Sequence, residues 1–214
     1  KHPKIPSQLN NIGEVWRTLR QPEKAIEIFE QTLILWNEIY GENHPDAAKT
    51  LNNLGLAYQD LGNLSIAIDY FEKALNINDS VFGREHINSA TNLINLGTAW
   101  QDCGYLHKAI DYYEYSLGVL KKFYGDKHPD VAAAVNNLGD AWGKLGEYRK
   151  AINYFEQTLT ILKEIYGERH PNIAITLKNL GLVWEELGNL AKARKCYEQA
   201  QAIEEKIRLA RKNL

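Results

Sequence analysis

The chain has 214 residues, 44% of them hydrophobic and 24% charged, with a formal net charge of −2. That much apolar surface argues for a packed core over disorder, and the near-neutral balance leaves no cationic footprint for nucleic acid. No apolar run approaches the roughly 18 residues of a membrane span, so membrane insertion is not expected.

Methionine is absent, and the chain begins at Lys1-His2-Pro3, inside a motif found again further on. The reading is of a fragment or processed product with upstream sequence missing. No secretory signal opens it, and the reduced state expected of its cysteines fits a cytoplasmic setting. Cys103 and Cys196 fall in helical patterns two repeats apart. Packed helices step by roughly 8–10 Å, beyond the roughly 4.4–6.8 Å between α-carbons that a disulfide spans, so reduced thiols are expected.

One period organises everything else. His2, His44, His86, His128 and His170 lie 42 residues apart, and so do Asn11, Asn53, Asn95, Asn137 and Asn179. Gly13, Gly55, Gly97, Gly139 and Gly181 keep the same step, as do the alanines from Ala25 to Ala193 and the glutamates from Glu30 to Glu198. No insertion breaks the register. The expected organisation is a single domain over 1–214 made of five repeats, at about 2–43, 44–85, 86–127, 128–169 and 170–214.

The first repeat opens at His2 and carries Trp16 and Trp36. Trp36 stands where later repeats have Asn78 and Leu120, and is expected to cover an upstream repeat or pack in the first interface. The second repeat shows the plan most plainly. His44-Pro45-Asp46 opens helix A, with proline at the first helical position and an acid at the positive end of the helix dipole. Helix A runs to about Leu61, Gly62 ends it in the left-handed conformation, and helix B runs from about Leu64 to Phe82 before Gly83. Leu51, Leu54, Gly55, Tyr58 and Leu61 form one apolar stripe, and Ala67, Tyr70, Phe71, Ala74 and Leu75 another. Glycine within a helix costs about 1 kcal/mol against alanine. Gly55 is therefore expected to leave room for a bulky helix B ring. The third repeat departs from the plan, with Ile87 in place of proline and Ile94 in place of asparagine. The fourth follows it through Gly125, Pro129 and Gly146. The fifth carries Lys178 at the position of Ile94, and its helix B continues through Gln201, Glu204, Glu205, Arg208 and Arg211. That polar face reads as a terminal cap, which a repeat array needs for solubility. Apolar spacings of three and four throughout leave no strand.

Leu51-x-x-Leu54-Gly55-x-x-Tyr58 followed by Ala67-x-x-x-Phe71 matches the tetratricopeptide spacing, with Trp16, Trp100, Trp142 and Trp184 replacing Tyr58 elsewhere. The 42-residue unit, with Asn-Asn-Leu-Gly in helix A and Tyr-Gly-x-x-His-Pro between repeats, resembles the repeats of kinesin light chain. The resemblance implies an all-α right-handed αα superhelix of ten helices, whose A helices line a concave groove.

At about 100° per residue, Asn53 points away from Leu51 and Tyr58, on the side of Lys49, Leu56 and Asp60. In the resembling family asparagines at this place contact peptide backbone. The resemblance therefore implies a peptide-binding row of Asn11, Asn53, Asn95, Asn137 and Asn179, flanked by Asn52, Asn136, Lys49, Lys144 and Lys178. The amides have a second possible role: bonding the neighbouring repeat and stiffening the stack. Nearby charges are mixed, with Arg17 beside Glu14, Asp60, Asp102, Asp140, Glu185 and Glu186.

Other chemistry finds no footing in the sequence. Histidines one repeat apart cannot share an ion whose bonds are about 2 Å long, so capping and loop packing are expected of them and no metal. The tryptophans are read as core. The glutamates follow the period and report architecture, and no nucleophile–base pair or phosphate-binding loop breaks it. No enzymatic activity and no cofactor are expected. The expected function is an adaptor holding a protein or peptide in the groove. The alternative is the sensor or autoinhibitory part of a larger signalling protein, such as a nucleotide-switch ATPase, touching other domains of its own chain.

Overall fold

A computed structural model describes residues 4–212, with side chains from 4 to 210. His2 and the side chain of Arg211 lie outside the described residues. Among them the chain forms ten helices and no strand: α1 (Lys4–Thr18), α2 (Pro22–Tyr40), α3 (Pro45–Asp60), α4 (Leu64–Phe82), α5 (Ile87–Asp102), α6 (Leu106–Tyr124), α7 (Pro129–Lys144), α8 (Tyr148–Tyr166), α9 (Pro171–Glu186) and α10 (Leu190–Lys212). Odd-numbered helices are the A helices of the repeats and even-numbered ones the B helices. The chain divides into two compact units, Lys1–Tyr112 and Tyr113–Leu214.

The helix starts follow from local chemistry. His44 Nδ1 accepts the backbone N–H of Asp46 at 3.3 Å, and His86, His128 and His170 cap α5, α7 and α9 in the same way. Each of these rings also stacks on the aromatic residue that ends or nearly ends the preceding helix. The centroid distances are 4.3 Å for Tyr40–His44, 4.7 Å for Phe82–His86, 3.7 Å for Tyr124–His128 and 4.0 Å for Tyr166–His170. Ile87 starts α5 without proline, because the histidine cap needs only its own side chain and the N–H two residues on. Trp36 packs at the first junction, 3% exposed and stacked 5.7 Å from His44.

Helix A to helix B takes a tight turn through a left-handed residue. Gly62, Gly104, Gly146 and Gly188 hold it with φ between 77° and 83°, and Arg20 holds it in the first repeat with φ 58°. Arg20 therefore adopts a conformation that costs a residue with a Cβ roughly 1–2 kcal/mol.

In the first unit Phe29 packs with Leu51, Leu54 and Ala57, and Phe71 with Leu96 and Ala99. In the second, Phe155 packs with Leu180 and Val183. The conserved spacing of the mid-helix glycines has the cause expected of it. A Cβ on Gly55 would lie 2.5 Å from Phe71 Cε1, on Gly13 2.4 Å from Phe29 Cε1, and on Gly181 2.6 Å from Tyr197 Cε1.

The tryptophans differ in one respect from the core reading. Trp16, Trp100, Trp142 and Trp184 are half-buried, and each has a lysine ammonium over its ring. Lys24 lies 4.5 Å from the Trp16 centroid, Lys108 3.3 Å from Trp100, Lys150 3.9 Å from Trp142 and Lys192 3.9 Å from Trp184. One ring face serves the core and the other a cation, an interaction worth about 0.5–1 kcal/mol at such exposed sites. Both cysteines are free thiols, and burial pushes the Cys196 thiol up from its ordinary pKa.

Candidate functional site

The asparagine row spans two quite different environments, one in each unit. In the first unit it is a seam. Asn10 Oδ1 accepts from Thr50 Oγ1 at 3.3 Å and from Asn53 Nδ2 at 3.2 Å, so one carbonyl on α1 holds two donors from α3. Glu14 collects the rest: its Oε1 accepts from Asn10 at 3.0 Å and Asn53 at 2.9 Å, and pairs with Lys49 at 3.4 Å. The motif repeats between α3 and α5, where Asn52 Oδ1 accepts from Asn92 at 3.1 Å and Asn95 at 2.8 Å. Further along the same helices Arg17 bonds Asp60 at 3.1 Å and Gln59 bonds Asp102 at 2.7 Å. The structure thus brings Asn52, Asn53, Asn95 and Lys49 together as ties between successive repeats. Asn11 is exposed on α1.

In the second unit the same positions are mostly open. Asn136 Oδ1 accepts from Thr176 at 3.4 Å, a weak form of the same contact. Asn137 and Asn179 are half-buried and have no side-chain hydrogen bond among the described residues. Two hollows lie along this face of α7 and α9. One of about 210 Å³ is lined by Asn136, Asn137, Ala133, Ile175 and Thr176; one of about 300 Å³ by Asn179, Leu182, Lys144, Tyr148 and Glu186. Ile175 and Leu182 are 53% and 56% exposed. With Asn179 they occupy positions i, i+4 and i+7 of α9, hence one face of the helix. An amide with free donors between two exposed aliphatic side chains can bond an extended backbone and bury its apolar side chains.

The cations of the row are paired. Lys144 meets Asp140 at 2.9 Å, and Lys178 meets Glu204 of α10 at 2.6 Å. Acceptors on the face are also engaged, Glu186 with Tyr148 Oη at 3.4 Å and Glu185 with Tyr197 Oη at 2.8 Å. Burial, helped by the bond to Glu185, raises the Tyr197 hydroxyl to a pKa of about 12. Among the described residues no group of three or more His, Cys, Asp or Glu could hold a metal ion, and no helix is long and apolar enough to cross a membrane.

Ile175 and Leu182 were not picked out by sequence reasoning. A signal for them exists: at the positions of Ile175 the earlier repeats have Ser7, Lys49, Thr91 and Ala133, so an aliphatic residue there breaks the pattern on the face turned away from the core.

The family model described as Tetratricopeptide repeat matches residues 7–80, 48–105, 89–164 and 143–206. No protein of curated function matches the sequence. Among solved structures the chain is similar to BtubC (BKLC) from P. vanneervenii, at 23% identity and a TM-score of 0.84, over 94% of this chain and 80% of that one. It is similar to the nearly identical TPR-like repeats of a Podosopora anserina protein assigned as a kinesin light chain, at 22% identity and a TM-score of 0.81, over 97% and 98%. It is also similar to the Rap protein crystallised with competence and sporulation factor, at 17% identity and a TM-score of 0.76, over 91% of this chain and 52% of that one.

Proposed function

This chain belongs to the tetratricopeptide repeat family, and from that premise we propose that it is a non-catalytic adaptor that holds an extended peptide or protein segment against its A helices. The observation that carries the reading is the α7–α9 face, where the amides of Asn137 and Asn179 are unbonded and Ile175 and Leu182 stand exposed beside them. Exposed aliphatic side chains beside solvent-facing amides offer an extended segment both apolar cover and backbone hydrogen bonds. The Rap relative is found with a bound factor, which makes a ligand on this repeat type a reasonable expectation here. Of the ten residues the sequence suggests, Asn137, Asn179 and Lys144 are the ones the proposal retains as ligand contacts, with Asn136 beside them. Asn52, Asn53, Asn95, Lys49 and Lys178 are assigned to holding the repeats, and Asn11 is left as an exposed polar residue.

The test is selection from a displayed library of random peptides, followed by anisotropy titration of the enriched sequences. Replacing both Asn137 and Asn179 with alanine is expected to weaken binding by about tenfold or more, from roughly 1 kcal/mol for each lost backbone contact, with the melting temperature within a few degrees of the parent. Selection that yields no binder, or binders indifferent to this double variant and to Leu182→Ser, would sink the proposal.

A further inference from the structure

A third hollow, of about 350 Å³, lies at the junction of α8, α9 and α10, away from the Asn137–Asn179 face. Its floor is apolar, from Ile173, Leu177 and Ile203, and its rim carries Arg169, Lys206 and the ion pair of Lys163 with Glu168. The rim charges distinguish it from the equivalent place one repeat earlier. The residues 42 positions before Arg169 and Lys206 are Lys127 and Glu164, and these form an ion pair at 3.3 Å. One repeat earlier still the two positions hold Glu85 and Lys122, again of opposite sign. Only at the junction of the fourth and fifth repeats are both cationic.

The neighbouring carboxylates do not compensate. Glu168 pairs with Lys163 at 3.0 Å, Glu204 with Lys178 at 2.6 Å, and Glu205 with Arg208 at 3.8 Å. Arg169 and Lys206 have no ion pair among the described residues. Two like charges beside an apolar floor destabilise one another and favour an anion between them, and an arginine can hold a carboxylate through two parallel bonds. The volume is at the lower end of ligand-binding cavities.

We infer that this hollow docks an acidic segment of a partner protein, one carboxylate lying between Arg169 and Lys206 and an adjacent aliphatic side chain on Ile173, Leu177 and Ile203. The site is separate from the α7–α9 face and stands whether or not that face binds peptide.

The probe is a fluorescein-labelled peptide of alternating leucine and glutamate, titrated by anisotropy against the whole chain, beside a leucine–lysine and a serine–glutamate counterpart. The leucine–glutamate peptide is expected to bind, with affinity falling as salt rises, and the other two to bind several-fold more weakly. Lys206→Glu restores the opposite-sign arrangement of the preceding repeat at an exposed position and is expected to weaken binding about tenfold or more. Arg169→Glu is expected to do the same, while Ile175→Ser and Leu182→Ser leave it unchanged. Binding that survives both charge reversals, that is equal for the lysine or serine peptide, or that is lost in Ile175→Ser or Leu182→Ser, overturns the assignment.

Discussion

The two units apply one repeat to opposite ends. In the first, the A helices are sewn together by side chains: Asn10 and Asn52 each hold two donors from the next repeat, Glu14 gathers three partners, and Arg17 and Gln59 reach the acids of the following helix. In the second, the corresponding positions hold one long hydrogen bond, two unbonded amides and two exposed aliphatic side chains. The same residue type at the same register position is thus a tie in one place and an available group in the other. In the first unit Asn53 meets the carbonyl of Asn10 and Asn95 that of Asn52; in the second, Asn136 accepts only from Thr176, and Asn179 makes no such bond.

The comparison can be broken most directly at the acceptors. Asn10 is 4% exposed, and Asn10→Ala leaves the buried hydroxyl of Thr50 with only its own helix and deprives Asn53 of one acceptor. A loss of about 2–3 kcal/mol is expected, against less than about 1 kcal/mol for Asn136→Ala, whose single accepted bond is 3.4 Å long. Urea unfolding of both variants measures the difference, and equal losses would erase the distinction between the units. A smaller effect separates the glycines. A Cβ on Gly55 meets Phe71 at 2.5 Å, whereas one on Gly139 meets Phe155 at 2.9 Å. Overpacking of about 1–3 kcal/mol is offset by about 1 kcal/mol of gained helix propensity. Both substitutions crowd a buried ring, and Gly55→Ala should therefore destabilise more than Gly139→Ala, as read by calorimetry. The smallest effect runs the other way. Arg20→Gly relieves the left-handed residue of the first turn, where the later repeats of both units have Gly62, Gly104, Gly146 and Gly188. It should stabilise by up to about 1 kcal/mol, raising the melting temperature by roughly 2–4 °C for a chain of this size.

Much of the fold was legible because the period repeats every local cause. The histidine caps, the proline starts and the glycines beneath Phe29 and Phe71 all followed from residue type and spacing. The amides were harder. A helical wheel fixes where Asn53 points on its own helix, but not how near the adjacent A helix comes. At that separation the carbonyl of one repeat and the amide of the next are in bonding range. A trace of this was in the sequence. Asn10, Asn52 and Asn136 precede Thr50, Asn92 and Thr176, whereas Ile94 precedes Ala134, so donor and acceptor disappear together. The lysines over the tryptophans left a similar trace: Lys24, Lys108, Lys150 and Lys192 accompany tryptophan, and the repeat with Tyr58 has Ile66. The α10 hollow depends on a change of sign at a single position, which a reading built on what repeats passes over.

That last pairing of indole and ammonium has a spectroscopic consequence. The repeats other than the second each place one tryptophan under its own lysine, so ultraviolet emission is a sum of four reporters tuned by a nearby cation and a fifth, Trp36, stacked on His44. The second repeat contains no tryptophan, and its opening is reported only through Trp36, which stacks on His44 at its start. Emission that changes at Trp36 alone, ahead of the lysine-covered indoles, would locate the first opening at that junction.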